Sequence, residues 1–112
     1  MSGTETPSKL TAQQSEHAAR MLSAMANPVR LAILQLLVQS ETSVSAICEH
    51  VGMSQSAVSQ HLAKLRNRKL VATRRDAQTI YYTIHSASVL ILLKTLNEIK
   101  FSRPGDSFAN SF

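Results

Sequence analysis

Cysteine occurs once, tryptophan not at all, glycine and proline three times each, and seven acidic residues face twelve lysines and arginines. Each scarcity excludes something. The lone Cys48 can close no intrachain disulfide and build no multi-cysteine zinc site, so redox chemistry would need a second thiol from elsewhere. Three glycines leave no phosphate-cradling loop. The few acids form no carboxylate pair and no activated-nucleophile cluster, which argues against an enzyme. No apolar run reaches about 18 residues, so no membrane span is expected. The opening MSGTETPSKL has neither a signal-peptide hydrophobic region nor an Arg-rich presequence, which points to the cytoplasm.

What the chain does have is 44% hydrophobic residues over 112 positions, enough for one compact core and hardly two. Its net charge of +5 is concentrated. Residues 64–76 hold Lys64, Arg66, Arg68, Lys69, Arg74 and Arg75 against Asp76 alone, and the rest of the chain is neutral. A basic run is often only a solvated face, but an excess confined to one short stretch suggests a polyanion partner.

Helix punctuation divides the chain. Residues 1–10, rich in Ser, Thr, Gly and Pro, read as a disordered lead. Thr11 and Gln14 form a capping box opening a helix to about Met25. Asn27-Pro28 starts a second, VRLAILQLLV, with Leu31, Leu34 and Val38 at core spacing, ending near Ser40-Glu41. Ser43 caps a third helix through His50, Gly52 supplies the turn, and Ser54 caps a fourth. Two helices separated only by VGMS form a helix-turn-helix. The period then changes to two, predicting a β-hairpin over 70–84 with its turn at Arg74 to Gln78. A last helix is expected from Ser86 to about Phe101, and the tail 102–112 reads as flexible. The single domain is therefore 11–101, mainly α with a small β-hairpin wing, in the order ααααββα.

On a helical wheel Val58, Leu62 and Leu65 of the fourth helix fall at about 0°, 40° and 340°, one stripe for the core. Opposite lie Ser56, Gln60, Ala63 and Asn67, with Ser59 and Lys64 on the flanks. This face is small, polar and uncharged over its first two turns. Such side chains hydrogen-bond base edges in a major groove, and the charges that follow suit phosphates at its walls. Candidate DNA-contacting residues are Ser54, Gln55, Ser56, Ser59, Gln60, His61, Lys64 and Arg66 on the helix, and Arg74, Arg75, Asp76 and Gln78 on the wing. A tolerant solvent-facing exterior is the plainer reading of the same helix. A binder of RNA or single strands would want aromatic platforms, and only Tyr81, Tyr82, Phe101, Phe108 and Phe112 exist. Adjacent strand tyrosines face opposite ways, so one at most could stack. A pure dimerisation module is a third reading.

Three strings, LSAMANPVRLAILQLL, SVSAICEHVGMSQSAVSQHLAKLRNRKLV and TRRDAQTIYYTI, together resemble the ArsR/SmtB family of small bacterial winged-helix repressors. Within it the chain is similar to the branch lacking a metal site, that of the NolR and HlyU/BigR-type regulators. The resemblance implies a dimeric, operator-binding repressor that pairs through its first and last helices. Composition agrees independently: Val89, Leu90, Ile91, Leu92, Leu93, Leu96 and Ile99 cover more of the last helix than one core contact requires, and Ala18, Ala19, Met21, Leu22, Ala24 and Met25 do so for the first. The family's metal-ligand positions fall at Ser43, Ser45, Ser86 and Ser88, so neither metal nor other cofactor is expected. His17, His50, His61 and His85 are scattered. Thiol-sensing relatives pair a cysteine near Cys48 with a second whose place here is Phe101. Cys48 therefore reads first as a small hydrophobe, with a redox-responsive repressor as the alternative.

Overall fold

A computed structural model describes residues 9–99 and 101. The terminal lead and tail expected from composition lie, for the most part, outside the described residues. Five helices and three strands follow in the order α1 (Ala12–Met25), α2 (Pro28–Gln39), β1 (Thr42–Ser43), α3 (Val44–Val51), α4 (Gln55–Asn67), β2 (Val71–Asp76), β3 (Thr79–Ile84) and α5 (Ala87–Glu98). The capping box is present: the Thr11 N–H donates to Gln14 Oε1 at 2.9 Å, and the Gln14 N–H donates to Thr11 Oγ1 at 3.1 Å. Asn27 Oδ1 accepts from the Val29 and Arg30 N–H groups at 2.8 and 3.2 Å, immediately ahead of Pro28. Ser43, Ser54 and Ser86 cap α3, α4 and α5 in the same manner. Side-chain oxygens thus satisfy orphan N–H groups at the start of every helix.

The helix ends differ in chemistry. Gly52 ends α3 at φ 69°, with the N–H groups of Gly52 and Met53 both donating to the Cys48 carbonyl. A Cβ there would meet nothing within 4 Å, so only the backbone conformation favours glycine. α4 ends in a Schellman turn: the Lys69 N–H donates to the Arg66 carbonyl, the Leu70 N–H to that of Leu65, and Lys69 sits at φ 58°. Leu65 and Leu70 are both buried, the apolar contact that accompanies this motif.

The core is assembled from Ala24 and Met25 of α1, Ile33, Leu34 and Leu37 of α2, Ile47 of α3, Val58, Leu62 and Leu65 of α4, and Leu70, Val71, Tyr82, Val89 and Leu93 beyond them. The α4 stripe is as its spacing predicts. The α2 stripe is not: Leu34 is buried, but Leu31 is half-buried, Val38 is exposed, and Ile33 and Leu37 lie inside instead. A segment apolar on nearly every side, VRLAILQLLV, carries too little periodicity to choose its own buried face.

The hairpin is antiparallel, with Val71 opposite Ile84 and Asp76 opposite Thr79, so its turn is the two residues Ala77 and Gln78. Ala77 takes φ 56°. A strand that the period did not predict, β1, pairs with the other edge of β3, placing Thr42 opposite Tyr82 and Ser43 opposite Tyr81 in a sheet of order β1-β3-β2. Two residues show no alternation to read. α5 starts where expected, with Ser86 as its cap, but stops at Glu98, short of the expected Phe101. On α5, Val89 and Leu93 face the core, whereas Leu90 and Ile91 are exposed, as is Ile99 just past its end; Leu22 is exposed on α1.

Candidate nucleic-acid interface

α4 is held in place from beneath by Val58, Leu62 and Leu65, none more than 1% exposed, which fixes the rotation of its opposite face. Ser56, Ser59, Gln60, Ala63, Lys64, Arg66 and Asn67 are all exposed. Ser56, Ser59 and Gln60 have no side-chain hydrogen bond to any described residue, so their donors and acceptors are presented to solvent. Ser54 differs, because its Oγ accepts the Ala57 N–H at 3.2 Å and caps the helix. His61 differs too. It is half-buried, and its Nδ1 accepts the Nε–H of Arg30 at 3.2 Å, so it braces α4 against α2.

The wing stands beside the start of this helix. Gln55 shares a shallow groove with Ser45 of α3 and with Gln78, Thr79 and Ile80 of the wing. Arg75, Asp76 and Gln78 are exposed toward the turn, and Arg75 forms no ion pair among the described residues. Arg74 is engaged within the molecule: Nη2 and Nε donate to the Glu41 carboxylate at 2.7 and 3.1 Å, and the guanidinium lies 4.5 Å from the Tyr81 ring centre. The Arg74 guanidinium holds the Glu41 carboxyl below its ordinary value, and Glu41 in turn raises Arg74. The two tyrosines separate as strand alternation requires, Tyr82 into the core and Tyr81 under Arg74.

Two of the four serines at the expected metal positions serve the backbone. Ser43 Oγ accepts from the Ala46 N–H at 3.1 Å and Ser86 Oγ from that of Val89 at 3.4 Å. No three His, Cys, Asp or Glu side chains gather among the described residues. Cys48 is half-buried and packs against the core. Sequence reasoning did not bring Arg20 or Arg30 to this surface. The structure does, because α1 and the first turn of α2 pack beside the second half of α4, and no local pattern announces that approach.

A helix pair joined by a glycine turn, with an exposed polar second helix and an adjoining basic ribbon, defines a winged helix-turn-helix protein. Residues 27–73 match the model of the bacterial regulatory protein family arsR. The chain is 58% identical to the nodulation protein NolR of Rhizobium meliloti over 78% of its own length and 71% of that protein's. It is 44% identical to the transcriptional activator HlyU of Vibrio cholerae, covering 78% of this chain and 81% of the relative. Two solved structures are similar as well. The crystal structure of NolR from Sinorhizobium fredii matches with TM-score 0.74 at 54% identity, over 83% of this chain and 96% of that one. The homodimeric winged helix-turn-helix DNA-binding domain from Mycobacterium bovis matches in solution with TM-score 0.72 at 35% identity, over 87% of each chain. The chain belongs to the arsR family of bacterial regulatory proteins, and it is a transcriptional regulator.

Proposed function

We propose that the protein acts as a homodimer that binds a pseudo-palindromic operator in double-stranded DNA, inserts α4 into the major groove and represses transcription by occupancy. The observation that carries this reading is the uncommitted polar face of α4, where Ser56, Ser59 and Gln60 stand exposed above a fully buried apolar stripe. Hydroxyls and amides in that position hydrogen-bond base edges, while Lys64, Arg66 and Arg75 meet phosphates. The dimer is supported by the apolar residues that the single chain leaves exposed on α1 and α5, and by the Mycobacterium relative, itself homodimeric. Repression by occupancy requires nothing beyond these two surfaces. The protein works in the cytoplasm, on the nucleoid, with neither metal nor other cofactor. The capping tasks of Ser43 and Ser86 support a metal-free regulator.

Selection from a random duplex pool tests the reading. Enriched sites should be pseudo-palindromes with half-sites about 10 bp or a small multiple apart. Gln60→Ala should cost about 1–3 kcal/mol on the best site and relax preference at one or two base pairs. Enrichment of asymmetric or single-stranded sites would sink the proposal, and a Gln60→Ala protein with unchanged preference would show that another face of α4 reads the bases. Transcription in vitro from a promoter carrying the selected site separates repression, a fall in transcript, from activation, a rise.

A further inference from the structure

An open cleft of about 480 Å³ lies between α1, the start of α2 and the second half of α4. Arg20, Arg30, Lys64 and Arg68 line it, with Ser23 and Asn67 as its uncharged polar members and no carboxylate. Four cations around one concavity repel one another, and an anion between them removes that repulsion. Glu16 approaches Arg20 at 3.4 Å, but both side chains are more than half exposed, and such a pair is weak. Arg30 is pre-positioned: its Nε donates to His61 and its Nη1 to the Ala24 carbonyl, each at 3.2 Å. Its Nη2 makes no hydrogen bond to the described residues. Two exposed arginines, Arg20 and Arg68, stand with this held one, and guanidinium forks match phosphate oxygens.

The position of the cleft names its ligand. Lys64 and Asn67 border the outward face of α4, so the cleft adjoins the surface that enters the groove. At the other end of the same helix, Gln55 adjoins the wing. The helix from Gln55 to Arg68 spans about 20 Å at 1.5 Å per residue, against a major groove about 12 Å wide. The wing thus adjoins one end of the helix and the cleft the other, which sets cations beside both ends of the face that would enter the groove. Leu22, two positions from Arg20, faces away from the cleft, so α1 can carry an apolar contact on one side and the cleft on the other.

We propose that this cleft is a phosphate site that grips the sugar-phosphate backbone of the operator strand on the side of α4 away from the wing. The inference rests on the duplex-binding reading given above. It adds to that reading a second clamp, built by Arg20, Arg30 and Arg68, that reads no sequence. The same chemistry would accept a free phosphorylated molecule, and continuity with the α4 face favours the backbone.

The test uses the full chain, with Arg20→Gln, Arg68→Gln and the double variant titrated against operator and unrelated duplexes over a salt series. Each single change should weaken both duplexes by the same factor and reduce the slope of log K against log salt by about 0.9 for each phosphate no longer neutralised. Base preference should stay as in the wild type. Lys94→Gln removes one charge from α5, outside the cleft, and should leave the slope unchanged. Wild-type melting temperatures in the variants establish that they fold. A double variant with the wild-type slope overturns the clamp while leaving duplex binding intact; a wild-type protein that binds no duplex overturns both readings. Pyrophosphate is the probe for the small-anion source, followed by NMR on the free protein. Shifts at Arg30 that the double variant loses, together with an unchanged DNA slope, would make the cleft an effector site and overturn the backbone assignment.

Discussion

Lys69 occupies a position where helices usually place glycine, the left-handed residue of the Schellman turn that ends α4. An L side chain at that φ costs about 1–2 kcal/mol, partly offset by the smaller chain entropy that lysine loses on folding. Lys69→Gly should therefore be more stable than Lys69→Ala by about 0.5–1 kcal/mol in urea unfolding, since the two share the loss of charge and differ only in backbone freedom. Equal midpoints would mean that the turn is unstrained. Lysine at this place keeps a cation at the rim where α1, α4 and the start of α5 meet, beside Arg68. Cys48 poses the other single-residue question. With its side chain packed against the core and Phe101 where the resemblance implies a second thiol in thiol-sensing relatives, Cys48→Ser should keep tight operator binding, and zinc should leave the affinity of either protein unchanged. A peroxide- or persulfide-induced release of DNA from the native protein alone would instead make Cys48 a redox switch.

Among the elements, the wing is tied to the helix-turn-helix more firmly than its hairpin reading implies. β1 leads directly into α3 and pairs with β3, and the Glu41–Arg74 contact bridges from the start of β1 to β2 over the Tyr81 ring. Glu41 is a carboxyl whose pKa is lowered in the folded chain, so its contribution to stability is present above the ordinary value of 4.5 and is lost as pH falls through the folded value. NMR titration of the Glu41 carboxyl should give a midpoint below the peptide value, and Arg74→Ala should return it upward. A midpoint unaffected by Arg74→Ala would mean the pair is not formed in solution. Helix starts were legible in the sequence because each rests on one residue: Thr11, Asn27, Ser43, Ser54 and Ser86 could be read individually, and each caps its helix. The buried face of α4 was legible for the same local reason. β1, the inner face of α2 and the Arg74–Glu41 pair, 33 residues apart, were not, because each is decided by a neighbour distant in sequence.

For the whole molecule, the proposal predicts that the surplus apolar surface is internal to a dimer. Ile91 is 65% exposed in the single chain and is not a member of the buried core, so Ile91→Glu should fold but sediment as a monomer. Operator binding should fall with it, because one half-site cannot replace two. A dimeric Ile91→Glu protein would place the interface elsewhere. One feature of α4 reaches beyond any single operator. Among the described residues, Ser56, Ser59 and Gln60 form no side-chain hydrogen bond, and the stripe beneath them and the caps at either end carry the fold. Exchanges at such exposed positions usually change stability by no more than about 0.5 kcal/mol. If α4 reads DNA as proposed, a lineage can therefore rewrite the address of this helix while its scaffold stays fixed, and gene duplicates of one regulator can part company over their targets before anything else in them diverges.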